Sequence, residues 1–439
     1  MRVNDVRRGE KEFDNPIRGG IFVGASKWLR IIPVAFIMYM LAYIDRINVG
    51  ILMPYIQEDL KINASAAGDI AGIFFVGYLI FQIPGGILAA KWSAKKTIFI
   101  LMLLWGICAT AAGFVQTEGQ LKVARFALGV AEGGVWPAVL VLLANWFTTK
   151  ERARANAFWM ACLPVSAMLM APLSGFLLKF FDWKTVLIIQ GLPPIIWAFV
   201  WYAMINDKPS DARWMKQEER EKLLTELAAE QNKKVQSEGY IAAFKNKAVW
   251  GLVIMYFLWM TGFYGYTLWV PSVVGTFTKD PVMLGWLTAI PFTCALIGML
   301  INSYWSDKRM NRVQHVAIPL VIAAISMITG QFVTLPVLQM VLLSITAIGV
   351  YAPYGPLWAI PTAIIPAGVV GAALGLQNAI GNLGGYNGPK FFGVLKDITG
   401  NYHAGFYFLA TALFLAAVMT FILGKFITSN EDSRLKSAN

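Results

Sequence analysis

The sequence predicts an all-α integral membrane protein of about twelve transmembrane helices in two bundles of six, and three observations carry that expectation. Of the 439 residues, 57% are hydrophobic and 14% charged, against about 45–50% and about 25% in soluble domains. The apolar residues gather into runs that each match the roughly 20 residues a helix needs to cross the hydrocarbon. These runs form two groups separated by one long polar segment.

The first group spans 29–53, 66–90, 97–116, 120–146, 153–180 and 185–205; the second spans 249–272, 283–305, 313–332, 337–361, 367–390 and 403–427. The organisation expected is a tail over 1–28, a bundle over 29–205, a linker over 206–248, a second bundle over 249–427 and a tail over 428–439. Lys91, Lys95 and Lys96, then Lys150, Arg152 and Arg154, and in the second half Lys308, Arg309 and Arg312, share one side with both tails. Lys61, Lys122, Lys184 and Lys279 fall singly on the other side, so the positive-inside rule makes the tail side cytoplasmic. The basic opening "MRVNDVRRGEKEFDNPIRGG" has no apolar core or cleavage site and reads as a cytoplasmic tail, not a targeting sequence. In the linker, Glu and Lys recur at helical spacing around Trp214, Leu223, Leu224 and Leu227, the pattern of a solvated surface helix joining two halves.

Composition also excludes classes. Cys108, Cys162 and Cys294 lie in separate apolar runs without CxxC spacing, which argues against disulfides and thiolate metal sites. His315 and His403 are too few and too far apart for a metal-hydrolase motif. The net charge of +12 is distributed between apolar runs instead of on one soluble face, so nucleic acid is not an expected partner. No cofactor, metal or enzymatic activity is expected.

The halves resemble one another: "GVAEGGVWPA" in the fourth span aligns with "GVYAPYGPLWAIP" in the tenth, and "ILAAKWSAKK" after the second with "INSYWSDKRMNR" after the eighth. Repeated halves around a midplane site are the architecture of secondary transporters, in which two rigid bundles rock about one binding site.

Charges inside the spans mark that site. Each costs roughly 2.5–3.5 kcal/mol at a helix centre and needs a partner, water or a function. Asp45 and Arg46, in "YIDRIN", point about 100° apart on one helix, so neither satisfies the other. Arg125 and Glu132 lie seven residues apart on one face of the fourth span. These four are expected around a common cavity, Glu132 near mid-depth and Arg125 nearer the outside, with Gly129, Gly133 and Gly134 admitting a neighbouring helix. A guanidinium grips a carboxylate through two parallel hydrogen bonds, which suits Arg46 and Arg125 to an anionic substrate. A buried carboxylate is pulled in opposite directions by desolvation and by a nearby arginine, so Asp45 and Glu132 suit proton coupling.

"YIDRINVG", "GIFFVGYLIFQIPGG", "RFALGVAEGGVWPA", "NWFTTKERARA" and "GLQNAIGNLGG" together resemble the major facilitator superfamily, and within it the anion:cation symporter family, over nearly the whole chain. The resemblance implies the major facilitator fold and, for bacterial members, proton-driven uptake of sugar acids, hydroxy acids or aromatic carboxylates. It implies protonation at Asp45 and Glu132, and substrate handling at Arg46 and Arg125. Tyr78, Trp358 and Asn378 match cavity-lining positions of relatives. Tyr43, beside Asp45, is a further candidate; Asn382 shares a face with Asn378, and Tyr351 and Tyr354 offer hydroxyls from the tenth span. Tyr264, Tyr266 and Trp269 are expected nearer the outer interface, as belt residues.

The loop signature after span two departs from the superfamily pattern, with Ala90 for the usual Asp and Ser93 for the usual Gly, while Asp307 and Lys308 keep the corresponding gating pair after span eight. Leu163 stands where some sugar-acid members have an amide, which favours a more apolar or aromatic acid. The short segment between the first two spans fits a bacterial inner-membrane protein, and no glycosylation is read from Asn63-Ala64-Ser65. The expected function is proton-coupled import of a small organic anion by a monomer, its partners being substrate, protons and bilayer. The alternatives are proton-driven efflux on the same fold, against which the fifth span's "APLSG" lacks the antiporter glycine signature, and a non-transporting sensor.

Overall fold

Hydrocarbon offers no partner to backbone N–H and C=O groups, so the apolar runs must pair them internally, as helices. The structure is a computed structural model that describes residues 25–231, 239–366 and 368–438. The first half comprises α1 (Ala25–Leu60), α2 (Ala64–Lys91), α3 (Ala94–Ala111), α4 (Glu118–Gly133), α5 (Val135–Trp146), α6 (Thr149–Met160), α7 (Cys162–Leu178) and α8 (Trp183–Met204). The linker carries α9 (Gln217–Gln231) and α10 (Gly239–Lys245). The second half comprises α11 (Lys247–Val274), α12 (Pro281–Arg309), α13 (Arg312–Gly330), α14 (Pro336–Tyr351), α15 (Tyr354–Leu357), α16 (Ile360–Ile364), α17 (Val370–Gly381), α18 (Gly384–Thr399) and α19 (His403–Ala438).

Among the described residues, eleven helical spans are long and apolar enough to cross a membrane. α4 with α5 makes the fourth crossing and α6 with α7 the fifth. The eleventh crossing is divided between α17 and α18 at Asn382 and Leu383, so neither piece reaches spanning length alone. Crossing starts fall within about four residues of those expected from the sequence, because polar caps mark them. Asn63 accepts from the Ala66 N–H, Ser93 from Lys96, and Asp280 from Val282 and Met283. The Asn63-Ala64-Ser65 triplet is thus a helix start.

Small residues set the closest contacts. A Cβ on Gly129 or Gly133 would collide with the carbonyls of Phe74 or Tyr78, and one on Gly77 with the carbonyl of Phe126, so α2 and α4 pack backbone to backbone. This places Glu132 on α4 and Tyr78 on α2 beside the same space. Gly134, where α4 gives way to α5, meets Gly85 in the same way.

The two halves meet most tightly on the face opposite the chain termini. There a Cβ on Gly68 would strike the Pro389 carbonyl, and one on Gly175 the Pro281 carbonyl. Polar contacts reinforce the seam. Asp69 pairs with Lys122 of its own half at 2.7 Å and with Lys390 of the other at 3.6 Å. It also accepts from the Tyr386 hydroxyl at 3.0 Å. Asp397 accepts from the backbone N–H groups of Ala64 and Ser65, at 3.0 and 2.7 Å, which ties α18 to the start of α2.

On the termini-bearing face the linker helix is docked on the first half. Ser26 donates to Glu219 and Thr149 to Glu230, while Trp214 stacks on Trp146 at 5.6 Å. Leu223 is buried and Leu224 exposed, so α9 is only partly solvated. The expected Asp307–Lys308 pair does not form: Asp307 pairs with Arg312, and the Lys308 ammonium stands 5.2 Å over the Trp305 ring. Neighbours on a helix point in different directions, whereas Arg312, past the left-handed turn at Met310, folds back onto Asp307. Ser93 donates to Asp207, whose other carboxylate oxygen accepts from the Lys95 N–H.

Candidate functional site

Four charged side chains are buried at the centre of the first half: Asp45, Arg46, Arg125 and Glu132. The 100° step between neighbours on α1 sends Arg46 toward the seam and Asp45 behind it. Arg46 Nη2 donates to Glu132 Oε2 at 3.0 Å, and Nη1 donates to the hydroxyl of Tyr264 at 3.3 Å. Aromatic faces surround the guanidinium, with Phe74 at 5.1 Å and Tyr78 at 4.9 Å from its centre, a favourable setting for a delocalised cation.

Arg125 is occupied differently. Its two terminal nitrogens donate to the backbone carbonyls of Asp45 at 2.8 Å and Arg46 at 2.9 Å. It therefore fixes the segment of α1 that presents Arg46. Both carboxylate oxygens of Asp45, together with Glu132 Oε1 and Arg46 Nε, are buried without a hydrogen-bond partner among the described residues. The indole N–H of Trp105 is directed at the Asp45 carboxylate without meeting it in regular hydrogen-bond geometry. Full charge at all four sites sums to zero, yet only Arg46 and Glu132 form a direct ion pair.

A cavity of about 20 Å³ lies between the halves beside Arg46, enough for a single water. The first half lines it with Tyr39, Arg46, Tyr78, Trp136, Met160 and Leu163. The second half supplies Tyr256, Tyr264, Tyr354, Trp358, Asn378 and Asn382. Toward the termini-bearing face it is closed by Gln82, which donates to Asn378, and by Trp136 and Trp358, whose rings are 5.7 Å apart and tilted by 30°. Asn382 donates to the carbonyl and side-chain oxygens of Asn378 at 2.7 and 2.9 Å. The centre is thus occluded, with the seam described above sealing the opposite face. A larger groove of about 630 Å³ opens between α12, α13 and α14, but Ile297, Ile301 and Ile322 in its wall face outward and it touches none of the four charges.

Of the residues singled out in the sequence, Arg46, Tyr78, Tyr354, Trp358, Asn378 and Asn382 line this cavity. Glu132 stands directly behind Arg46, while Asp45 and Arg125 are set back from the cavity wall. Tyr43 and Tyr351 are also outside the lining; their hydroxyls meet at 3.4 Å across the seam. Asp307 and Lys308 lie at the termini-bearing end of α12, away from the cavity.

Tyr264 is not a belt residue: it is buried and holds Arg46 from the opposite half. Tyr266 and Trp269 are buried too, donating to the carbonyls of Leu343 and Pro389. Sequence reasoning also passed over Tyr39, Trp136 and Tyr256. Helical spacing held a signal for some of them, since Tyr39 is seven residues before Arg46, and Trp136 four after Glu132.

Two six-helix halves closed over a charge-bearing centre define a multi-pass membrane transport protein. The chain belongs to the Major Facilitator Superfamily, whose family model matches residues 35–389. Among its relatives, a protein of Agrobacterium vitis named "Putative tartrate transporter" is 32% identical over 409 residues, covering 92% of this chain and 94% of its own. A "Quinolone resistance transporter" of Acinetobacter baumannii is 30% identical over 403 residues, covering 90% and 93%. The inward-open xylose transporter XylE of E. coli superposes with a TM-score of 0.72 at 15% identity, over 90% of this chain and 95% of that one, a likeness of fold.

Proposed function

We propose that the protein imports a small organic anion together with protons, by alternating access across a bacterial inner membrane, as a monomer with its termini-bearing face in the cytoplasm. One observation carries this reading: Arg46, the one charged residue among those described as lining the cavity, is held by a carboxylate for which a proton is an alternative partner. While Glu132 is ionised it occupies the guanidinium. Protonation removes that competitor, and a substrate carboxylate takes its place on Arg46 through two parallel hydrogen bonds. Anion without proton would leave two carboxylates facing one guanidinium; proton without anion would leave Arg46 a buried, uncompensated cation, which costs several kcal/mol. The centre is therefore neutral when empty and when fully loaded, and these are the states in which the halves can rock.

Within this reading Asp45 passes the proton to and from Glu132 and is ionised in both neutral states, Arg125 keeps the Asp45–Arg46 backbone in position, and Tyr78, Tyr354, Trp358, Asn378 and Asn382 contact the substrate. The tartrate assignment of the Agrobacterium relative supports a carboxylate as cargo. Efflux is the second reading, favoured by the quinolone-resistance relative. Reconstituted vesicles with an imposed pH gradient separate the two. Radiolabelled carboxylate accumulates when the outside is acid if the protein is a symporter. Accumulation only when the inside is acid would establish antiport, and uptake indifferent to the gradient would remove proton coupling.

A further inference from the structure

We propose that the anion is an aromatic monocarboxylate, its ring inserted between Trp136 and Trp358 and its single carboxylate on Arg46. This narrows the symport reading above and rests on it.

The number of charges follows from the lining. Among the described residues Arg46 is its only charged side chain, and Arg125 has both terminal nitrogens committed to main-chain carbonyls. A second carboxylate on the substrate would find no cation, and would approach the two acids set behind the wall. Burying such a charge unpaired costs enough to lower affinity by roughly a hundredfold or more.

The ring follows from the aromatic shape of the lining. Tyr39, Tyr78, Trp136 and Leu163 on one side face Tyr256, Tyr354 and Trp358 on the other. The side-chain oxygen of Asn378 already accepts from both Gln82 and Asn382. Trp136 and Trp358 come from opposite halves, 5.7 Å apart and within 30° of parallel. A flat ring between them needs two van der Waals gaps, roughly 7 Å in all, more than the 5.7 Å between the ring centres, so the indoles must part to admit it. Occupancy is thereby felt by both halves at once.

Four probes separate charge from aromaticity: benzoate, cyclohexanecarboxylate, phthalate and tartrate, each tested at pH 7.5 for thermal stabilisation of the full-length protein and for initial uptake driven by an acid exterior, counted only as the excess over protein-free vesicles, which the neutral monoacids enter unaided. We expect benzoate to bind and accumulate, cyclohexanecarboxylate to bind roughly tenfold more weakly through loss of ring stacking, and both dianions to bind at least roughly a hundredfold more weakly. Trp136→Leu should weaken benzoate roughly tenfold while leaving cyclohexanecarboxylate within about twofold, and Trp136→Phe should restore benzoate; equal loss for both acids would make Trp136 merely structural and overturn the ring site. Tartrate or phthalate accumulating as well as benzoate would overturn the monoanion inference and leave proton-driven anion uptake standing. Accumulation of none of the four would overturn the aromatic monocarboxylate, whereas the symport reading falls only if carboxylate uptake is indifferent to the pH gradient.

Discussion

The first half brings four charged side chains to the centre, whereas the second half meets them with tyrosines, Trp358, Asn378 and Asn382 and no charge among the residues described as lining the cavity. The halves share a fold and an internal resemblance but not a chemistry. Because both members of the Arg46–Glu132 pair belong to the first half, parting the halves does not have to break it. The contacts that cross the seam at the centre include the Arg46–Tyr264 and Gln82–Asn378 hydrogen bonds, the Tyr43–Tyr351 hydroxyl contact and the Trp136–Trp358 contact, none of them an ion pair. On the face opposite the termini, by contrast, Asp69–Lys390 is an ion pair between halves. The exchange of partners proposed for Arg46 thus stays inside the first half, whereas opening the outer seam must break an ion pair between halves.

The largest expected consequence concerns the first half. Glu132→Gln should abolish accumulation against a gradient, a loss of about a hundredfold or more if coupling rests on this group, yet keep exchange of internal for external substrate, both read as tracer flux in vesicles. Retained accumulation would move the coupling site elsewhere. Arg46→Lys should weaken substrate binding roughly tenfold to a hundredfold, because charge survives but the two-pronged grip does not; isothermal titration measures it, and unchanged affinity would break the assignment of anion capture to the charged half.

Changes in the second half should be milder. Tyr264→Phe removes one hydrogen bond to a charged group, about 1.5–3 kcal/mol at most, and should raise KM roughly tenfold while E132Q-type loss of coupling is absent. Loss of coupling in Tyr264→Phe would show that the second half shares the ionic task. The smallest effect belongs to the outer seam. Lys390→Gln disturbs a partly exposed pair worth about 0–1 kcal/mol, and should raise reaction of a single cysteine placed on that face with an impermeant thiol reagent by up to about fivefold.

Legibility in the sequence followed the strength of each physical signal. The crossings were readable because apolar length has few other causes, and the four central charges because a charge in hydrocarbon demands an explanation. The hydrogen-bond partners of Arg125 were not: its seven-residue spacing from Glu132 fixes a shared face, but a long guanidinium can reach backbone as readily as a cavity, and it reaches the carbonyls of Asp45 and Arg46. Tyr78, Trp358 and Asn378 were singled out through resemblance, Asn382 through its helical spacing from Asn378, and Tyr354 as a hydroxyl on the tenth span. Tyr264 and Trp136 were missed because an aromatic residue in an apolar run looks the same whether it packs, anchors at the interface or lines a site. The Asp307–Arg312 pair needed the left-handed turn at Met310, which sequence patterning does not reveal.

The displacement of Glu132 by the incoming anion can be measured without a membrane. Substrate is added to purified protein in weakly buffered detergent solution containing a pH indicator, and proton uptake is recorded as the anion binds. We expect wild-type protein to take up about one proton per anion bound, and Glu132→Gln to bind the anion with little or no proton uptake. Binding of the anion to wild-type protein with no proton taken up, or equal uptake by the Glu132→Gln variant, would contradict the exchange of carboxylates on Arg46.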